Sequence, residues 1–98
     1  MKVSNMTSHK GNKVPNQFII HTPEATFFQS YRTVIVKTCF EDGERVVYLA
    51  EDKWDYSRTT AKYRNEFLGC NSGDVKARIK SGQYRLADLN SEPPMDTR

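Results

Sequence analysis

The 98-residue sequence predicts an α+β domain: a small antiparallel sheet of about four to five strands with two short helices on one side. Three observations lead there. Residues 18–50 are dense in β-branched and aromatic side chains and contain the hairpin step Asp42-Gly43. From residue 56 the apolar spacing changes from two to that of a helix. A last alternating run then appears at residues 83–89, giving the order β-β-β-β-α-α-β.

Element by element, Phe18-Ile19-Ile20 opens the first strand, which ends at the turn signal Thr22-Pro23. Thr26–Tyr31 and Thr33–Phe40 follow as strands, and Arg45–Ala50 returns after the Asp-Gly turn. In Thr33–Phe40, strict alternation would put Val34, Val36, Thr38 and Phe40 on one face and Ile35, Lys37 and Cys39 on the other. Ile35 then lies opposite the core face, so this strand is expected to be covered on both sides.

In the second half, Tyr56, Thr60, Tyr63 and Phe67 recur on one helical face. Ser57 or Asp55 is placed to cap that helix, and Gly69 to end it. Asn71 or Ser72 caps the next helix, Asp74 suits its first turn, and Gly82 terminates it. Val75 and Ile79 are its buried pair. The helical period predicts Arg58, Lys62, Lys76 and Lys80 exposed, and Tyr63, Phe67, Val75 and Ile79 buried.

The ends differ from this body. Lys2, Lys10 and Lys13 have no acid among residues 1–16, and the segment is rich in Ser, Asn, Lys and Gly. The expected organisation is a disordered basic arm over 1–15, a single α+β domain over 16–90 and a disordered tail over 91–98. With 37% hydrophobic residues, the core is expected to be small. No run of about 18 apolar residues is present, so no membrane span is expected. The opening residues lack the apolar stretch of a secretory signal, and Cys39 and Cys70 form no zinc or disulfide pattern. A reducing cytoplasm is the expected location.

Chemistry-bearing residues are scattered. His21 ends a strand with no nucleophile nearby in sequence, His9 lies in the arm, and Cys39 and Cys70 read as small hydrophobes. Glu41, Asp42 and Glu44 lack calcium-loop spacing, and the glycines form no phosphate loop. Neither catalysis, a metal nor a cofactor is expected. A helix-turn-helix built on Leu68-Gly69-Cys70 matches only in part. Asn65 stands where a small residue normally packs, and Arg64 and Arg78 fall at positions usually buried.

The densest feature is Lys53–Gly69, in which Trp54, Asp55, Tyr56, Arg58 and Thr59 crowd a helix start. With Lys62 and Arg64 on the same helix, and Lys76, Arg78 and Lys80 on the next, they are the candidate binding residues. Two partners fit. A protein partner would use the aromatic and Arg58 positions, and a nucleic acid would use the basic helical surface. A net charge of +3 is modest for a nucleic-acid binder, which tips the balance toward a protein partner.

The string Trp54-Asp-Tyr-Ser-Arg-Thr-Thr-Ala-Lys-Tyr-Arg-Asn-Glu-Phe-Leu-Gly69, with Phe28–Tyr31 before it and Ile79–Tyr84 and Leu86–Asn90 after, resembles a group of small phage-encoded proteins of unknown function. The likeness covers about residues 17–90. It implies a phage or mobile-element accessory protein acting on a host protein in the bacterial cytoplasm, with anti-defence activity among the roles such proteins take. It assigns no activity to any residue.

Overall fold

A computed structural model describes residues 1–90. The expected tail at 91–98 lies outside the described residues. Six strands form one sheet in sequence order: β1 (Lys2–Thr7), β2 (Lys13–His21), β3 (Ala25–Ser30), β4 (Thr33–Glu41), β5 (Glu44–Ala50) and β6 (Tyr84–Ala87). Two helices, α1 (Arg58–Leu68) and α2 (Ser72–Ser81), join β5 to β6. The first five strands are antiparallel meanders, and β6 runs parallel to β5. A parallel neighbour needs a long crossover, and the helix pair supplies it.

The α+β class and helix positions follow the sequence, but the strand count rises to six. The extra strand is β1, which occupies residues 2–7 of the arm expected over 1–15; the start of β2 takes residues 13–15, and a turn joins the two. Of β1, only Met6 is fully buried. An edge strand is held chiefly by backbone hydrogen bonds to its neighbour, and hydropathy does not register those. Between Asn5 and Thr7 the β1–β2 register shifts, and Asn16 takes φ 65° in the same stretch. The Asn5 side-chain amide donates to Val14 O there, at 3.0 Å.

A bulge also changes β4. Phe28 faces Val36, whereas Gln29 faces Val34, so Ile35 is an extra residue and alternation restarts after it. Val34 therefore points away from the helices and Val36 towards them, correcting the strict alternation expected for this strand. Val34, Ile35 and Val36 are all buried.

The main core lies between sheet and helices: Phe28, Ile35, Val36, Val47, Leu49, Val75 and Tyr84, with Trp54, Tyr63, Phe67 and Ile79 packed at its border. Phe28 and Phe67 stack at 5.9 Å. Tyr63, Phe67 and Ile79 are half-buried rather than fully buried, because short helices cover only part of the sheet. A second cluster on the opposite face joins Ile20, Ala25, Phe27, Val34, Ala50 and Leu89. The Asn90 side chain fastens the chain there. Its Nδ2 donates to Val34 O at 3.0 Å, and its Oδ1 accepts from Val34 N at 2.8 Å. One amide group thus imitates the strand partner that β4 lacks at its start.

Candidate functional site

The residues singled out around Trp54 divide into an internal latch and an exposed rim. Ser57 is the N-cap of α1, its Oγ accepting from Thr60 N at 3.1 Å. Gly69, with φ 75°, closes the helix and donates its N–H to Asn65 O. Four residues after the buried Thr60, on the same helical face, Arg64 is fully buried, with no exposed surface. It was expected as part of a basic binding surface, and this is corrected: its side chain points inward.

Nothing of the Arg64 guanidinium is left for a ligand. One terminal nitrogen donates to Trp54 O at 2.6 Å and to Asp55 Oδ1 at 3.3 Å. The other donates to Asn65 Oδ1 at 2.9 Å and Ser72 Oγ at 3.0 Å, and Nε donates to Asn65 Oδ1 at 3.2 Å. Those bonds match the five N–H groups that a guanidinium carries. The Trp54 ring covers the group at 5.4 Å, and Asn65 Nδ2 donates to the same Ser72 Oγ. One cation therefore ties the loop before α1 to α1 itself and to the start of α2. The half-exposed Asp55 supplies the compensating charge. Trp54 and Asp55 thus serve this latch, and a basic residue at a normally buried helical position was the one sign of it in the sequence.

Arg78 is also engaged internally. Its guanidinium donates to the Tyr84 hydroxyl at 2.9 Å and lies over that ring at 5.6 Å. This bond raises the Arg78 pKa above its ordinary value. The α2 N-cap is Asn71, in a capping box with Asp74.

On the rim, Tyr56, Arg58, Thr59, Lys62, Lys76 and Lys80 are exposed. Lys53 sits over the Tyr56 ring at 5.5 Å, and Lys62 over Tyr63 at 5.1 Å. The buried Ser30 and Thr60 hydroxyls meet at 3.0 Å, placing the β3–β4 turn beside the first turn of α1. That turn carries Tyr31 and Arg32, both exposed.

A separate polar group lies on the sheet face away from the helices. Tyr48 Oη donates to Glu41 Oε2 at 2.6 Å, and Arg85 reaches Glu41 Oε1 at 3.4 Å. Lys37 and Arg85 flank the Tyr48 ring at 5.7 and 5.8 Å. The carboxylate accepting the phenol proton raises the Tyr48 pKa, against the opposing hydrogen bond from Arg85. Cys39 lines a nearby cavity of about 340 Å³ with Ala25, Phe27 and Phe40. Among the described residues, no three His, Cys, Asp or Glu side chains gather to hold a metal ion. No helix among them is long and apolar enough to cross a membrane.

Neither a curated protein nor a solved structure matches this chain. A family model of unknown function, DUF8033, matches residues 1–83, from β1 through α2. That match takes in both the meander and the Arg64 latch, and the chain belongs to the DUF8033 family.

Proposed function

We propose that the chain is a non-enzymatic accessory protein of a phage or mobile element, acting in the bacterial cytoplasm by binding a host protein and modulating it. Anti-defence activity is one form such modulation takes. The observation that carries the reading is the division of the Trp54–Arg64 cluster. Trp54, Asp55 and Arg64 build a rigid latch, and the latch presents Tyr56, Arg58 and Thr59 to solvent. Tyrosine and arginine on a fixed support are the residue types that dominate protein interfaces. The genomic setting rests on the resemblance of the Trp54–Gly69 string.

Affinity capture from host lysate, with and without nuclease, tests it. A partner retained after nuclease and lost with Tyr56→Ala/Arg58→Ala supports the reading. No partner held by the folded wild-type protein overturns it.

Nucleic-acid binding is the second reading, favoured by Arg58, Lys62, Lys76 and Lys80 standing exposed on successive helices. Its weight is reduced because Arg64 and Arg78 are engaged internally, and Glu66 and Asp74 sit among the remaining cations. A gel-shift series decides it. Binding through phosphates weakens steeply with salt, and Lys76→Glu/Lys80→Glu flattens the slope.

A further inference from the structure

The helices cover one face of the sheet, and the middle of the other face is apolar as well. Across that second face the pairing sets Val3, Ile20, Phe27, Lys37, Tyr48 and Arg85 in one row, each opposite the next on successive strands. Ile20 and Phe27, in the row's centre, are 3% and 4% exposed. An antiparallel sheet with one open face leaves the side chains on it in contact with water, so burial this complete requires a second layer above them. Of the hydrophobic residues packed in this cluster, Leu89 alone among the described residues comes from outside the strands. Ile20 on β2 and Ala50 on β5 stand three strand spacings apart, about 14 Å, which is more than one leucine side chain spans.

The chain itself carries a segment suited to complete that layer. Leu89 faces the cluster and Asn90 is fixed to Val34, so the described residues end at the border of this face. We propose that residues 91–96 run back across it and seat Met95 on Ile20 and Phe27, closing the second layer of the core. Phe27 lies about two strand spacings sideways from Asn90 and two residues further along the strands, roughly 12 Å in all. Five extended residues reach up to about 17 Å, so Met95 has the length it needs. Pro93 and Pro94 favour an extended backbone and lack the N–H of a strand partner, which suits a segment laid over a sheet face rather than added to its edge. Charge agrees. Glu92 and Asp96 bracket Met95, and Lys37, which stands opposite Phe27, forms no ion pair among the described residues. This inference is independent of the binding reading above, and it leaves the helical side as the face open to a partner.

Methyl-labelled methionine in the full chain tests this directly by NMR. The Met95 methyl is expected to give cross-peaks to the Phe27 ring and the Ile20 methyls, and isotope filtering of mixed labelled and unlabelled chains should show them to arise within one chain. Cys39, half-buried at the border of the same cluster, reports on the cover chemically. Met95→Asp should lower Tm and speed the reaction of Cys39 with a disulfide reagent by at least about threefold, because the thiol gains access to solvent. Cys70, on the helix side, should react as before, and Met95→Leu, similar in volume, should stay close to the wild type. Three results overturn the proposal. The first is a folded chain whose Met95 methyl shows no cross-peak to Ile20 or Phe27. The second is cross-peaks that arise between chains, which would put a second copy on this face. The third is Met95→Asp leaving both Tm and the Cys39 rate at wild-type values.

Discussion

Helices α1 and α2 follow one another through a three-residue turn, and opposite means hold them. In α2 both ends carry favourable signs: an Asn71–Asp74 capping box, an acid in the first turn, and Arg78 and Lys80 in the last. In α1 the first turn has no acid and the last no base, and Arg58 opposes the dipole. What holds α1 is tertiary: Arg64 bonded to the preceding loop and to α2, Thr60 bonded to β3, and Phe67 stacked on Phe28. A helix stabilised by its own sequence needs little from its neighbours. One with inverted end charges exists because other elements hold it, and its exposed first turn is then available to carry binding residues.

The largest test of that contrast is Arg64→Met. It leaves Trp54 O and Asn65 Oδ1 without their donor in a dry site, with Ser72 Oγ keeping only the Asn65 amide, and should cost about 3–5 kcal/mol in urea unfolding. That is a large part of the ~5–15 kcal/mol expected for a domain. A loss below about 1 kcal/mol would mean α1 does not depend on the latch. Thr60→Val comes next. It strands the buried Ser30 hydroxyl and should cost roughly 1–3 kcal/mol, with Ser30→Ala in the same chain recovering part.

On the other helix, Asn71→Ala removes a cap and should cost about 1 kcal/mol, with hydrogen exchange rising first in the opening turn of α2. If α2 instead loses as much as α1 does with Arg64→Met, the contrast fails. Arg58→Glu should act in the opposite direction, stabilising by roughly 0.3–1 kcal/mol at low salt and less at high salt.

The smallest effect lies away from both helices. The Tyr48 pKa is raised in the folded protein, chiefly by its bond to Glu41, so this bond favours folding from neutral pH up to the phenol's ordinary 10.0. The contribution fades as pH rises through the raised value, because the phenolate no longer donates and repels the carboxylate. Ultraviolet titration should find one tyrosine ionising late, and Glu41→Gln should return it toward the ordinary range.

Much of the architecture was legible because it is written locally. The Asp42-Gly43 turn, Ser57, Gly69 and Gly82 act through backbone preferences of one or two residues, and the change of period after residue 56 marks the passage from sheet to helices. Strand β1 was not legible, since its apolar content is slight and its partner lies across a loop. The bulge at Ile35 was hidden for a related reason, because only pairing with β3 reveals which residue is extra. Among candidate site residues, Arg58, Lys62, Lys76 and Lys80 are exposed as helical period required. Arg64 and Arg78 are not free, since a charged residue reads as surface until a buried partner is known.

By itself the sequence determined the turns at Thr22-Pro23 and Asp42-Gly43, which segments are helical and which side of α2 is apolar. These depend on φ preferences, caps and periodicity within about a dozen residues. The tertiary structure alone decided that β6 pairs parallel to β5, that Asn90 completes the start of β4, and that Arg64 turns inward. It also brought Ser30 against Thr60, joining the β3–β4 turn to the first turn of α1. Each of these needs groups distant in sequence to meet in a dry environment, where one hydrogen bond or one charge fixes an orientation that no local propensity specifies.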